Sequence, residues 1–124
     1  MYKITDFKVG QKVALEVTGN EARRPNYKDN PIREGIVEKV GRKYVTVCGR
    51  QFEEHPAYVG LREKTDSCVN FVLYPNKQVL EEKLEKDKLL FNIQEFFRHP
   101  NNSKELSLGQ LKEIRGIISN IGGN

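Results

Sequence analysis

The hydrophobic pattern of the chain changes its period at Pro75, and this change constrains the fold more than any other feature. Before Pro75, apolar residues such as Val13, Leu15 and Val17 alternate with polar ones, which is the period of a strand with one buried face. After it, Lys77–Arg98 contains no Gly or Pro, and its apolar residues recur at spacings of three, four and seven. The sequence therefore predicts an α+β fold, with strands first and helices after them.

Five short strands are predicted in the first 75 residues, with turn signals about every ten residues. They cover residues 12–18, 36–40, 44–48, 51–54 and 69–74. This number and spacing fit a small SH3-like five-stranded barrel, in which closure removes exposed sheet edges. A long polar loop, 19–31, joins the first two strands, and the segment 62–66 is predicted to be a charged loop that neutralises itself.

Two amphipathic helices are predicted to form a C-terminal hairpin. Asn76 is placed to cap the first helix, and Ser107 with Gln110 has the spacing of a capping box at the start of the second. The apolar faces of the two helices are expected to pack on each other and on an open side of the barrel. The predicted domains are therefore an SH3-like barrel over 1–75 and a helical hairpin over 76–124.

The sequence contains no signature of an enzyme, a metal site or a membrane segment. It lacks the nucleophile, phosphate-loop, zinc-protease and dinucleotide motifs, so we expect no enzymatic activity and no cofactor. Cys48 and Cys68 lie too far apart for a zinc site, and we expect both to be buried. No apolar run approaches the length of a membrane span or signal peptide, which predicts a cytoplasmic protein.

The positive charge is concentrated in the first half of the chain. The net charge is +4, and residues 22–50 carry eight basic and three acidic side chains. Arginine forks and lysine ammonium groups bind phosphates, while an exposed tyrosine can stack on a base. The candidate ligand-binding residues, predicted to converge on one rim of the barrel, are Arg23, Arg24, Tyr27, Lys28, Arg42, Lys43, Tyr44 and Arg50.

Two other interpretations of these residues remain open. The charges can simply keep exposed loops solvated, and arginine with tyrosine also anchors protein interfaces. On the first helix, Phe91 and Phe97 are predicted to pack in the core. Phe96 falls to one side of that apolar stripe, which makes it the candidate residue for contact with a partner protein.

Four motifs, in this order and spacing, resemble a known group of proteins. They are Val40-Gly41-Arg42-Lys43-Tyr44-Val45-Thr46-Val47, Arg62-Glu63-Lys64-Thr65-Asp66, Tyr74-Pro75-Asn76-Lys77-Gln78 and Leu106-Ser107-Leu108-Gly109-Gln110-Leu111-Lys112-Glu113-Ile114. The group consists of small β-barrel domain proteins encoded by phages and prophages of Gram-positive bacteria. The resemblance implies a barrel fold and a phage context, and it assigns no catalytic residue.

The leading hypothesis is a non-enzymatic phage accessory protein that binds nucleic acid or a ribonucleoprotein through its basic rim. An anti-defence inhibitor, similar in role to an anti-CRISPR protein, is one form of this hypothesis. The alternatives are a module that inhibits a host protein through its helices and an oligomeric sponge for a nucleotide signal. Salt dependence distinguishes nucleic-acid binding through the rim from protein binding through the helices. Counterion release makes nucleic-acid affinity fall steeply with ionic strength, whereas an apolar helix contact should barely respond.

Overall fold

A closed antiparallel β-barrel forms the first part of the chain in the computed structural model, which describes residues 1–121. The strands are β1 (Lys12–Val17), β2 (Ile32–Val40), β3 (Val45–Val47), β4 (Arg50–Glu53), β5 (Leu61–Glu63) and β6 (Phe71–Tyr74). Each strand pairs with the next along the chain, and β6 pairs back with β1, where Val17 lies opposite Phe71. A short 3-10 helix, Ile4–Asp6, precedes β1, and another, Glu21–Arg23, lies in the β1–β2 loop.

The barrel interior is filled by the apolar side chains that the alternating pattern predicted. Val13 and Leu15 on β1 are buried, as are Val45 and Val47 on β3 and Phe52 on β4. Because side chains fill the interior of a barrel this small, the barrel has a packed core, and most polar residues are left to its outer face and its two ends. The functional side chains must therefore lie on that outer face or at the two ends.

The structure confirms an α+β fold with a small barrel followed by helices, but the barrel has six strands and not five. The missed strand is β5, which lies partly in the segment predicted to be a charged loop. Arg62 points outward to Glu53, while Glu63 points inward and is buried. The strand β2 also begins earlier than predicted, at Ile32. The SH3-like assignment stays a prediction.

Three helices follow the barrel: α1 (Lys77–Arg98), α2 (Pro100–Ser103) and α3 (Leu108–Ile121). The predicted caps are confirmed. The Val79 N–H donates to Asn76 Oδ1 at 2.9 Å. At α3, the Gln110 N–H donates to Ser107 Oγ at 3.1 Å, and the Ser107 N–H donates to Gln110 Oε1 at 2.9 Å. The one-turn helix α2 was not predicted.

Two compact units divide the chain within α1, at Leu84 and Glu85. The first two turns of α1 belong to the barrel unit, because Leu80 is fully buried in a cluster with Ala14, Val72 and Tyr74. The described part of the second unit contains the rest of α1, α2 and α3. The division predicted near residue 75 therefore separates elements that pack together. Packing of the hairpin on the barrel stays a prediction.

Two predictions of burial are wrong. Phe97 is 42% exposed because it lines an open apolar groove between α1 and α3. Phe91 is 61% exposed and lies outside the lining of that groove. Cys68 is exposed and Cys48 is half-buried, since both lie in connections at one end of the barrel.

Two observations on residues 1–121 concern membranes and metals. No helix there has an apolar stretch long enough to cross a bilayer. Within the same residues, no three His, Cys, Asp or Glu side chains come together as a metal site requires.

Replacing Asn76 by alanine is expected to lower the free energy of unfolding by about 1 kcal/mol. The substitution removes the acceptor for the Val79 N–H at the first turn of α1, whose next turn packs on the barrel. Urea denaturation followed by far-UV circular dichroism measures the loss. Gln94→Ala, at an exposed position in the same helix, is the control and should change stability by less than about 0.5 kcal/mol.

Candidate functional site

The predicted ligand-binding residues lie at two opposite ends of the barrel, so they do not form one rim. Successive connections in an up-and-down barrel lie at opposite ends. The β1–β2 loop and the β3–β4 turn share one end, and the β2–β3 turn lies at the other. The first end carries Arg23, Arg24, Tyr27, Lys28 and Arg50, whereas the second carries Arg42, Lys43 and Tyr44. The prediction that all eight converge is wrong.

At the loop end, several of the predicted residues already have partners within the protein. Arg24 Nη2 lies 3.1 Å from Glu21 Oε1. Arg50 forms an ion pair with the buried Glu63, and its guanidinium lies 4.8 Å from the centroid of the Phe71 ring. Tyr27 is half-buried and packs against the barrel core. Only Arg23 and Lys28 of this group are exposed cations without an ion pair among the described residues.

The other end continues into a basic surface on the outside of the barrel. We call this surface the basic face, and it consists of Lys39, Arg42, Lys43, Tyr44, Thr46, Gln51 and Lys64. Thr46 lies opposite both Lys39 and Gln51, so the three side chains form a row across β2, β3 and β4. The row points outward, since the alternate positions on β3 and β4 are buried in the core. The Lys64 N–H donates to the Gln51 carbonyl and adds Lys64 to the row.

Tyr44 is the aromatic residue of the basic face and is contacted by Lys64. The Lys64 ammonium lies 4.5 Å from the centroid of the half-buried Tyr44 ring. Hydrogen bonding to the Tyr44 side chain, and then its charge interaction with that group, raises the pKa of Lys64 above its ordinary value of 10.5. The carboxylates of Glu53 and Asp66 act in the same direction. Lys64 is therefore fully charged at neutral pH and is held beside an aromatic ring.

Four cations of the basic face, Lys39, Arg42, Lys43 and Lys64, form no ion pair among the described residues. Of the two carboxylates that act on Lys64, Glu53 is paired with Arg62, which donates to its Oε2 from Nε and Nη2, both at 3.0 Å. The face therefore presents positive charge around an aromatic ring, with a threonine hydroxyl and a glutamine amide beside them.

The shape of the basic face suits an extended ligand. Its cavity is about 100 Å³, whereas sites for small molecules enclose about 300–1,000 Å³. A neighbouring cavity of about 340 Å³ shares Arg42, Lys43 and Tyr44, but it is also lined by Glu53 and Glu54, which disfavour an anion there. A ligand that lies across the open surface matches the charges better than one that is enclosed.

Lys39 and Lys64 belong to the basic face but were not predicted from the sequence. Lys39 belongs to it because a β-bulge between Val37 and Lys39 shifts the register of β2 and turns Lys39 outward. Lys64 belongs to the basic face because it directly follows β5, the strand that was not predicted from the sequence. Phe96, the predicted partner-contact residue, is half-buried in the second unit, where its ring packs edge to face on Phe97 with centroids 5.2 Å apart.

Comparison with known proteins gives one match. The sequence model of the family described as phage ProQ C-terminal-like domain matches residues 1–121. No curated protein and no solved structure matches the chain. The family match confirms the phage association predicted from the sequence motifs, while the Gram-positive origin stays a prediction.

Proposed function

Because the chain belongs to the phage ProQ C-terminal-like domain family, we propose that it is a phage-encoded, non-catalytic protein that binds nucleic acid through the basic face. The observation that carries this proposal is the group of four cations without ion pairs around Tyr44. In a phage context the role is that of an accessory or anti-defence factor, which engages a host ribonucleoprotein through its RNA.

The chemistry of the basic face favours a single strand over a duplex. Lysine and arginine side chains neutralise successive phosphates, and a tyrosine ring offers a stacking surface to an unpaired base. Thr46 and Gln51 lie between the cations, where their polar groups can hydrogen-bond to base edges or to a ribose hydroxyl. A duplex presents its phosphates but not its base faces, so it would leave the Tyr44 ring unused.

Direct binding to a fluorescent single-stranded RNA of mixed sequence tests the proposal. With four phosphate contacts, the logarithm of affinity should fall with the logarithm of salt concentration with a slope of about −2.8. Affinity should therefore drop about 50-fold between 50 and 200 mM salt. Duplex DNA of the same length should bind more weakly. Absence of measurable RNA binding at low salt would refute the proposed function.

Removing the charges of the basic face tests where the RNA binds. Lys39, Arg42, Lys43 and Lys64 are replaced together by glutamine, which lowers the net charge from +4 to 0. We expect affinity for RNA to fall about 100-fold and the salt slope to flatten. The matched control replaces Arg23, Arg24, Lys28 and Arg33 by glutamine, which removes equal charge at the other end of the barrel. A greater loss in the control would place binding at the loop end instead.

Tyr44 provides a test of the stacking contact that does not alter charge. Tyr44→Ala is expected to weaken RNA binding about 10-fold, because stacking of one base on an aromatic ring contributes about 1–3 kcal/mol. Tyr44→Phe keeps the ring and loses only the hydroxyl that interacts with Lys64. It should bind RNA within about twofold of the natural protein. Equal losses in both variants would show that the hydroxyl matters and that stacking does not.

A further inference from the structure

The second unit leaves a large apolar groove open between its two long helices. Leu90, Ile93 and Phe97 of α1 line one side, and Ile114, Ile118 and Ile121 of α3 line the other. The groove encloses about 760 Å³. Protein interiors contain few voids larger than a water molecule, so two helices packed as a finished core would not leave such a space. The groove is therefore a surface that lacks its partner.

We propose that this groove is the contact surface between two copies of the chain. Seven large apolar side chains that are exposed in the single chain line this groove: Leu89, Leu90, Ile93, Phe97, Ile117, Ile118 and Ile121. At about 80–100 Å² for each, they supply about 560–700 Å², which reaches the lower part of the range of about 600–1,000 Å² that a stable interface takes from each partner.

The size of the second unit supports association with a like unit. From Glu85 onward it has only 40 residues, and units below about 40 residues usually need a disulfide, a metal or oligomerisation to be stable. The chain's two cysteines both lie in the first unit. A second hairpin supplies two more amphipathic helices, and four such helices can enclose one common core.

Charge complementarity favours a second copy over a strongly charged partner. Residues 85–121 contain six basic and five acidic side chains, which alternate along both helices. Two copies related by a twofold axis present the same surface to each other, so an excess of either sign would repel. The near balance removes that repulsion. The residues of the basic face belong to the first unit, so none of them lines the groove.

Sedimentation of the nuclease-treated full chain tests the proposal. At about 10 µM the protein should sediment with twice its 14.3 kDa mass. Ile118→Asp should raise the dissociation constant at least 100-fold, because it buries an unpaired charge in an apolar contact. Ser119→Asp adds the same charge at the next position, outside the groove lining, and should leave the dimer intact.

A milder variant tests whether the dimer weakens without unfolding of the helix. Leu90→Ala retains a strong helix former and should weaken the dimer about 10-fold with unchanged helix content. Monomeric natural protein up to about 100 µM would refute the proposal, as would an Ile118→Asp variant that associates normally. Capture of a host protein on a monomeric chain would show that another occupant fills the groove. None of these results depends on RNA binding, so the two proposals can fail separately.

Discussion

Replacement of Gly60 by alanine is expected to lower the free energy of unfolding of the barrel by about 3 kcal/mol. A Cβ atom at this position would lie 2.5 Å from the Leu73 carbonyl oxygen and 2.8 Å from Val72 Cγ1. The carbonyl cannot move aside easily, because Leu73 is paired with Leu61 on one side and with Leu15 on the other. The added methyl group must therefore push β5 away from β6 and open the barrel.

Chemical denaturation measures this loss, with tyrosine fluorescence or circular dichroism as the signal because the chain has no Trp. Since domains are stable by only about 5–15 kcal/mol, a loss of this size should shift the midpoint clearly. Gly41→Ala is the control. Its Cβ would lie 3.5 Å from the Tyr44 carbonyl oxygen, which is ordinary van der Waals contact, so stability should change by less than about 0.5 kcal/mol. Equal stability of the two variants would contradict the close approach at Gly60.

The strands that could be predicted were marked by alternating apolar residues, by a run of apolar and β-branched residues or, for β4, by the turn before it. Val13, Leu15 and Val17 show the period on β1, and Val45 with Val47 shows it on β3. The strand β5 has three residues, of which only Leu61 is apolar, so no period can be recognised. It forms because its neighbours on both sides offer backbone partners, which is a property of the closed sheet and not of the segment.

The residue types of the candidate site could be predicted, but their arrangement required the barrel. Arg42, Lys43 and Tyr44 lie together because they are consecutive residues of one turn. Their separation from Arg23 follows from the strand order, because the β1–β2 loop and the β2–β3 turn lie at opposite ends of the barrel. The addition of Lys39 depended on a bulge, and a bulge has no signature in this sequence.

Replacing the buried Glu63 should lower the free energy of unfolding of the barrel more than replacing an exposed polar residue. Glu63 is 5% exposed, and its carboxylate accepts hydrogen bonds from Arg50 Nη1 and from the Asn70 N–H, the latter at 3.1 Å. Glu63→Ala leaves the N–H of Asn70 without its acceptor and the guanidinium without its counterion. Because the Arg50 side chain is 45% exposed and can be rehydrated, we expect a loss of about 2–3 kcal/mol, below the range for a fully buried pair.

Two further variants separate the contributions of charge and hydrogen bonding at Glu63. Glu63→Gln keeps an oxygen acceptor for the Asn70 N–H and removes the charge, so it should lose about half as much stability as Glu63→Ala. Glu53→Ala breaks the ion pair with Arg62 on the outer surface of the neighbouring strand, where water can replace the partner. It should lower the free energy of unfolding by at most about 1 kcal/mol.

Glu53→Ala also frees the Arg62 charge beside the basic face, so it should tighten RNA binding. Urea denaturation of the three variants, together with RNA titration of Glu53→Ala, measures these effects. A larger loss of unfolding free energy for Glu53→Ala than for Glu63→Ala would mean that the buried Arg50–Glu63 pair contributes less to stability than its burial implies.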